Sequence, residues 1–331
     1  MPPILQRPVR WGLLGAGHIA HKFAADLLLS PDCRITAVGS RSREKADRFA
    51  TQFDIPHRHG NYRDLAADSE VDVVYVATPH SLHRDHALLC LEAGKSVLCE
   101  KPFALNLKQA EEMTEAAQKA DRFLMEAMWT RFMPHIAALR GAVESGAIGE
   151  IRTLTADFGF MGPGDPDGRL FSPALGGGAL LDVGIYPVTL AFLLFGPPQT
   201  VRSMAHIGGT GVDGQCGMLF GYGDGRLAVL SASVVARTGQ EAVIAGSKGR
   251  IVVHAPWWSS GRFTVHRDGE EARTEEFPVA GSGFVYEIAE VVRCLVGGKR
   301  ESETLPLSET LAVLSVMDGM RKSWGMKYPS E

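Results

Sequence analysis

The feature that most constrains this chain is Gly15-Ala16-Gly17-His18-Ile19-Ala20, placed directly behind the apolar run that starts at Val9. Apolar residues then recur at Ile19, Phe23, Leu27 and Leu28. The run reads as a buried strand and the later spacing as one face of a helix. Between them, two glycines permit a tight turn and let backbone N–H groups approach a pyrophosphate at the helix N-terminus. Ala20 takes the third small position, where helix and strand must pack closely. A G-x-G-x-x-A match alone is weak, but a strand before it and an amphipathic helix after it supply the confirming context. Gly15, Ala16, Gly17, His18 and Ile19 are therefore the first candidate nucleotide contacts.

A second strand, Arg34 to Gly39, ends at Ser40-Arg41-Ser42-Arg43-Glu44-Lys45. An NAD site usually presents a carboxylate here to the ribose hydroxyls. This chain presents a small hydroxyl and then three cations within five residues. Guanidinium forks match phosphate geometry, so Ser40, Arg41 and Lys45 point to a 2′-phosphate and to NADP in preference to NAD. The plainer alternative is a solvated helix start.

Val71 to Ala77 forms the next strand, and Thr78-Pro79-His80-Ser81-Leu82-His83 follows at its end as a cofactor-lining loop, with Thr78, Pro79, His80 and His83 as candidate contacts. His80, His83 and His86 are spaced by three, which invites a metal reading. No carboxylate or thiolate at ligand spacing completes that set, so no metal is expected. Ser96 to Phe103 then reads Ser-Val-Leu-Cys-Glu-Lys-Pro-Phe. Val97 to Cys99 suit a central strand that stops at Glu100-Lys101-Pro102, because proline cannot donate to a ladder. A charged pair at the carboxyl end of a parallel strand sits where open α/β sheets bind ligands. An ammonium held there, Lys101, can position a substrate hydroxyl and bias its proton. Asn106 followed by Gln109 is a capping-box pattern, and Phe123 to Met128 suits a sixth strand. Alternating strands and helices imply an α/β, doubly wound parallel sheet.

After Trp129 the register changes. Pro134 opens a connecting helix, and from Glu150 the chain reads as strands: Ile151 to Phe160, Val201 to His206, Cys216 to Tyr222, Arg226 to Val235, Ala242 to Ala245 and Ile251 to His254. They are apolar on both faces: Leu227 and Val229 face one way, Leu230 and Val234 the other. One face should pack on helices and the other on a second subunit. The expectation is a first domain over 8–128 and an α+β second domain over 129–331, in a homo-oligomer. Leu307 to Trp324 reads as a core-packing helix. Within the second half, Gly176-Gly177-Gly178 leads into a helix on which Asp182 and Tyr186, four apart, share one face.

The charge balance argues against nucleic acid or an anionic membrane as the main partner, since the net charge is −4 with scattered basic residues. Five widely spaced cysteines without Cys-x-x-Cys suggest reduced thiols in a cytoplasmic protein. No signal peptide and no bilayer-spanning run is expected.

Four stretches together resemble the glucose–fructose oxidoreductase / inositol dehydrogenase (Gfo/Idh/MocA) family: Gly15-x-Gly17-x-x-Ala20, Ala77-Thr78-Pro79, Glu100-Lys101-Pro102 and Asp182-x-Gly184-x-Tyr186. The resemblance spans essentially the whole chain. It implies a Rossmann domain plus a second domain with a large open, mostly antiparallel sheet that mediates dimers or tetramers, an NAD(P)-dependent oxidoreductase activity, and a cis bond between Lys101 and Pro102. Most members carry histidine where this chain has Tyr186. That departure, with Glu126 to Phe132, resembles the branch of dimeric dihydrodiol dehydrogenase and NADP-dependent D-xylose dehydrogenase. The branch implies Tyr186 as acid/base; beside it, the chemistry of the residues suggests Lys101 as pKa tuner and hydroxyl anchor and Asp182 as orienter of Lys101 or a substrate hydroxyl, with Glu100 and Lys101 also candidate cofactor contacts. The branch also implies a substrate pocket lined by Trp129, Phe158 and Phe284. Lys101 as the proton carrier itself is the alternative. The expected activity is hydride transfer between NADP and a sugar or cyclic diol. A non-catalytic NADP-sensing regulator is the second reading, and a metal-dependent lyase using His80, His83 and His86 a third.

Overall fold

In the computed structural model, residues 7–331 are described, and they divide into two compact units. The first comprises the chain up to Phe132 together with Ala280–Leu311; the second comprises Met133–Val279 and Ala312–Glu331. A single division at 128/129 therefore does not describe the molecule, because Ala280–Leu311 returns to the first unit. The tie is chemical. Asp26, almost fully buried, accepts the backbone N–H groups of Ser282 (2.9 and 3.0 Å) and Phe284 (2.8 Å). A carboxylate at the start of a helix satisfies amides that the helix cannot.

The first unit runs β1 (Val9–Leu14), α1 (His18–Leu27), β2 (Cys33–Gly39), α2 (Arg43–Phe53), β3 (His57–His59), α3 (Tyr62–Ala66), β4 (Val73–Val76), α4 (His83–Glu92), β5 (Ser96–Glu100), α5 (Leu107–Ala120) and β6 (Leu124–Ala127). The strands form one sheet in the order β3-β2-β1-β4-β5-β6, parallel throughout. The order reverses direction beside β1 and β4, the switch point at which doubly wound sheets open a ligand crevice. Central strands are buried on both faces, as helices on both sides require. Phe23 of α1 stacks on Tyr75 of β4 with ring centroids 3.7 Å apart, and Trp11 of β1 meets its edge at 5.5 Å. The Asn106 side chain caps α5 by accepting the Gln109 amide (2.8 Å).

The second unit contains α6 (Pro134–Glu144), β7 (Ile151–Gly159), α7 (Ile185–Phe195), and β8 to β14 (Thr200–Ile207, Asp213–Gly221, Leu227–Ser233, Ala242–Gly246, Gly249–Val253, Arg262–Arg267, Arg273–Glu276). Its eight strands form one open sheet, β14-β13-β12-β11-β7-β10-β9-β8, antiparallel except for the β7–β10 pair. The last two strands are missing from the expectation because the edge strand Arg273–Glu276 is mostly charged and its neighbour Arg262–Arg267, paired on both sides, has arginine at both ends, which masks strand periodicity. α8 (Val285–Val296) belongs to the first unit, and α9 spans Leu307–Ser323. One stretch, Pro173–Phe195, is long and apolar enough to cross a bilayer, against the expectation that none exists. It is 94% buried inside the fold, and its apolarity is that of a core helix.

Candidate active site

A first group of candidate site residues stands at the carboxyl ends of the parallel strands. Gly15 ends β1 at φ +112°, and a Cβ there would stand 2.6 Å from the Ala77 carbonyl oxygen, so no other residue fits. Gly17 is the N-cap of α1 and offers no side chain to the helix amides, while a Cβ there would meet nothing within 4 Å. Uncapped amides at an open helix N-terminus are an anion-binding arrangement, and they fit a pyrophosphate. Ala16, His18 and Ile19 line the same turn, and Ala20 is fully buried against the sheet.

At the end of β2, the buried Ser40 accepts the Ser42 amide at its Oγ (3.3 Å), and Ser42 in turn caps α2. The turn holds no carboxylate before Glu44. Arg43 pairs with Asp47, whereas Arg41 and Lys45 project as exposed cations, with Arg41 also bonded to Tyr62. The turn thus presents a small hydroxyl and two exposed cations.

Thr78, Pro79 and His80 form the loop after β4. His83 departs from its expected place as a cofactor contact. It is fully buried, with Nδ1 2.8 Å from the Pro102 carbonyl oxygen and Nε2 2.9 Å from that of Thr78. Burial pushes its imidazole down to about 4, although both carbonyls pull the other way. Its work is to strap the loop after β4 to the turn after β5. His86 Nδ1 bonds Thr78 Oγ1 (3.0 Å), so His80, His83 and His86 do not converge. The Lys101–Pro102 bond is cis.

Glu100, expected among the cofactor contacts, lies at the end of β5. Its buried carboxylate accepts the Tyr75 hydroxyl and the Lys101 backbone amide (3.0 Å), so it braces the turn that presents Lys101. Trp129 and Phe284, expected with the second domain, pack in the first unit with ring centroids 5.4 Å apart. The Asp26 anchor fixes Phe284 there.

The second group stands on α7 and the turn leading to it. Gly178 has φ +118°, and a Cβ would lie 2.2 Å from Asp213 Oδ1. The Asp213 carboxylate accepts the Leu180 amide (2.7 Å), capping the element from below. Burial pushes Asp213 up to about 7, against the amides and Arg321, which pull it down. Leu180–Gly184 is π-helical, not α-helical, and α7 continues from Ile185. Such wide turns recur at functional positions. Asp182, 3% exposed, accepts Arg169 Nη1 at 2.6 Å, a partner the sequence did not suggest. Tyr186, 6% exposed, lies with its ring 5.1 Å from that of Phe158 on β7.

Trp258 is a further candidate that sequence reasoning missed. Its ring stacks on Phe158 at 3.4 Å and 9°, and lies 6.4 Å from Tyr186. The neighbouring Trp257 is buried and donates Nε1–H to the Asp157 carbonyl (2.8 Å). Nothing in the letters Trp257-Trp258 separates the anchor from the wall. Together, Phe158 and Trp258 offer a flat aromatic face beside a phenol, suited to a ring-shaped substrate.

Residues 9–128 match the profile described as "Oxidoreductase family, NAD-binding Rossmann fold", and residues 136–252 match the "GFO/IDH/MocA C-terminal domain". The chain belongs to the Gfo/Idh/MocA family. Among its relatives, the trans-1,2-dihydrobenzene-1,2-diol dehydrogenase of Xenopus tropicalis is 36% identical over 332 residues, covering 97% of this chain and 99% of the relative. The human protein of that name is 34% identical over 332 residues, covering 98% and 99%. Among solved Gfo/Idh/MocA-like structures, an aldose-aldose oxidoreductase from Caulobacter crescentus superposes with a TM-score of 0.87 at 26% identity, covering 96% of this chain and 97% of that one. A 3-ketoreductase from Actinomadura kijaniata, solved with NADP and TDP-benzene, gives 0.86 at 27%, covering 96% and 98%. The chain is thus an oxidoreductase of the Gfo/Idh/MocA family with an NAD(P)-binding Rossmann domain.

Proposed function

We propose that this chain is an NADP-dependent dehydrogenase or reductase acting on a CH–OH/C=O group of a sugar or cyclic diol, of the aldose 1-dehydrogenase or trans-dihydrodiol dehydrogenase type. The observation that carries this reading is Tyr186 set beside the stacked Phe158–Trp258 wall, a phenol next to a surface for a flat ring. The names of the relatives, a diol dehydrogenase and an aldose oxidoreductase, support the same substrate class.

When bound, the nicotinamide supplies the hydride acceptor or donor. Gly15, Ala16, Gly17, His18 and Ile19 would hold its pyrophosphate; Ser40, Arg41 and Lys45 would hold the phosphorylated ribose; Thr78, Pro79 and His80 would line the nicotinamide side. Glu100 and His83 position the backbone of that side. Tyr186 trades a proton with the substrate hydroxyl as general acid/base. An ordinary phenol titrates near ~10, so acting as base at neutral pH requires about 4 kcal/mol of bias. An ammonium ~4 Å away at an effective dielectric of ~20 supplies roughly that amount, and Lys101 is assigned this task. Asp182, paired with Arg169, orients a substrate hydroxyl.

Replacing Tyr186 by Phe should lower kcat by about 10²–10⁴ with KM little changed, the range for removing a general acid/base. Near-normal turnover in Tyr186→Phe combined with loss in Lys101→Met would transfer the proton step to Lys101. Titration should show tighter binding of NADP than of NAD. Cofactor binding with no turnover across sugars and diols would favour an NADP-sensing regulator.

The same reading extends to assembly and location. Outward on the open sheet, Leu219 of β9 and Val229 of β10 are paired neighbours, with Leu227 and Met204 on the same face; they are 42%, 49%, 42% and 82% exposed. A contiguous apolar face of this kind suits a second copy of the chain, giving a homodimer or tetramer. All five cysteines are unpaired, consistent with a reducing cytoplasm.

A further inference from the structure

A second cluster of chemical groups lies at the edge of the parallel sheet, outside every assignment above. β3 is the edge strand, and its residues His57 and His59, two apart, present their rings to one side. His57 Nδ1 lies 2.7 Å and His59 Nε2 3.0 Å from the same oxygen, Oδ2 of Asp68, which follows α3. The three ligand-capable atoms are within 4.8 Å of one another. Asp68 Oδ1 is held by the Glu70 amide (2.9 Å), which fixes the carboxylate and turns Oδ2 toward the rings. The Asp68 side chain is 7% exposed, His59 21% and His57 41%, so the pair of imidazoles is open on one side.

We propose that His57, His59 and Asp68 form a binding site for one borderline transition-metal dication, Zn(II) or Co(II), with solvent completing its coordination. Two imidazoles and one carboxylate suit such ions better than Mg(II) or Ca(II), which prefer oxygen ligands alone. Bonds of ~2.0–2.1 Å in a tetrahedral arrangement place ligand atoms roughly 3.3 Å apart. The observed 2.7 and 3.0 Å separations therefore open by about half an ångström, a movement the exposed His57 ring can supply. The two rings now donate N–H to Asp68. On metal binding the nitrogen facing Asp68 gives up its proton and turns a lone pair to the ion; a singly protonated ring does so by tautomerising through solvent, its proton passing to the far nitrogen, so no net proton is released. Lys95 donates its ammonium to the carbonyl oxygens of Asp68 and Val71 (2.5 and 2.9 Å) and leaves the Asp68 carboxylate to the histidines.

The consequence is mechanical. The ion joins β3 to the chain after α3, closing the segment 57–68 that packs on β2. The His59 carbonyl oxygen accepts the Ser40 amide (3.1 Å), so the same edge holds the cationic turn Ser40–Lys45 in place. The clamp thereby braces the part of the first unit assigned to the phosphorylated ribose. A plain hydrogen-bonded hub is the competing account, and it predicts no metal affinity.

The test is isothermal titration of the full-length, chelator-treated protein with ZnCl2, alongside Co(II) absorption spectra and thermal melts. The site predicts one equivalent bound with a Kd below about 10 µM, visible Co(II) d–d bands, and an apparent stability rising with metal concentration. His57→Gln, at the most exposed position, and His59→Gln should each weaken binding by about 10-fold or more while the folded spectrum is retained. Absence of saturable binding up to about 100 µM, or binding unchanged in both variants, overturns the proposal.

Discussion

The two sheets of this molecule solve the same problem in opposite ways. The six-stranded parallel sheet is covered on both faces, so its candidate site residues stand at strand ends: Gly15 after β1, Ser40 after β2, Thr78 after β4 and Lys101 after β5. The eight-stranded sheet is open, so its strands contribute through faces. Phe158 of β7 stands beside Tyr186, and Leu219 and Val229 look outward. Where strand ends carry the chemistry, backbone geometry is the constraint and substitutions fail sterically. Where faces carry it, side-chain identity is the constraint and substitutions alter binding more than folding.

The sharpest way to break that contrast is within the glycine turn. Gly15→Ala places a Cβ 2.6 Å from the Ala77 carbonyl oxygen at a positive φ, and should cost about 2–4 kcal/mol of stability along with cofactor binding. Gly17→Ala meets no atom in the protein, so its thermal midpoint should stay near that of the wild type while NADP affinity falls by 10-fold or more. Melts and cofactor titrations on the two variants decide the matter. If both lose stability equally, Gly17 is a folding residue and not a ligand contact.

A smaller and subtler difference lies in pH dependence. His83 in the first unit is held near 4, below its ordinary value of 6.5, whereas Asp213 in the second is pushed up to about 7, above 3.8. The signs oppose. The His83 contribution is full above pH 6.5 and is lost as pH falls through about 4. The Asp213 contribution is full below pH 3.8 and is lost as pH rises through about 7. At ~1.4 kcal/mol per unit they amount to roughly 3–4 kcal/mol for His83 and about 4–5 kcal/mol for Asp213, and they oppose each other between pH 4 and 6.5. Removing one should expose the other. Asp213→Asn should leave a stability that rises with pH across that window, and His83→Gln one that falls. Denaturant melts from pH 4 to 8 test this; a slope unchanged in both variants refutes it.

Five strands of the first sheet were readable because they are largely apolar runs, several punctuated by glycine or proline, whereas the edge strand β3, His57-Arg58-His59, has no apolar pattern and was not read. Arg41 and Lys45 emerge from a turn in which Ser42 caps the next helix, a local pattern visible in the letters. Three other things were not readable, each because a distant partner decides it. Asp26 draws Ala280–Leu311 back across the sequence through amides more than 250 residues away, so the domain cut could not be placed from local signals. His83 is wedged between two carbonyls that sequence spacing does not identify, and its one N–H, when neutral, serves one of them, which turns an apparent ligand into a strap. Trp258 differs from Trp257 only in which atoms it faces. In the second sheet, strands were legible at β8 to β10, but the charged edge strand β14 and its arginine-ended neighbour β13 hid theirs.

The open face provides the gentlest test of the comparison. Val229 and Leu219 face each other across β10 and β9, half exposed, with Leu227 and Met204 beside them. A charge at such a site touches no buried partner, so Val229→Glu should alter the stability of the isolated fold by no more than about 0.5 kcal/mol. Its effect should fall on association, because a carboxylate at the centre of an apolar contact is desolvated without a partner. Sedimentation of the wild type should show a dimer or larger, and Val229→Glu should shift it toward monomer while cofactor binding persists. The alternative outcome, a wild type that is monomeric at micromolar concentration, would mean that this face is tolerated in water and that the sheet's openness serves no partner of its own kind.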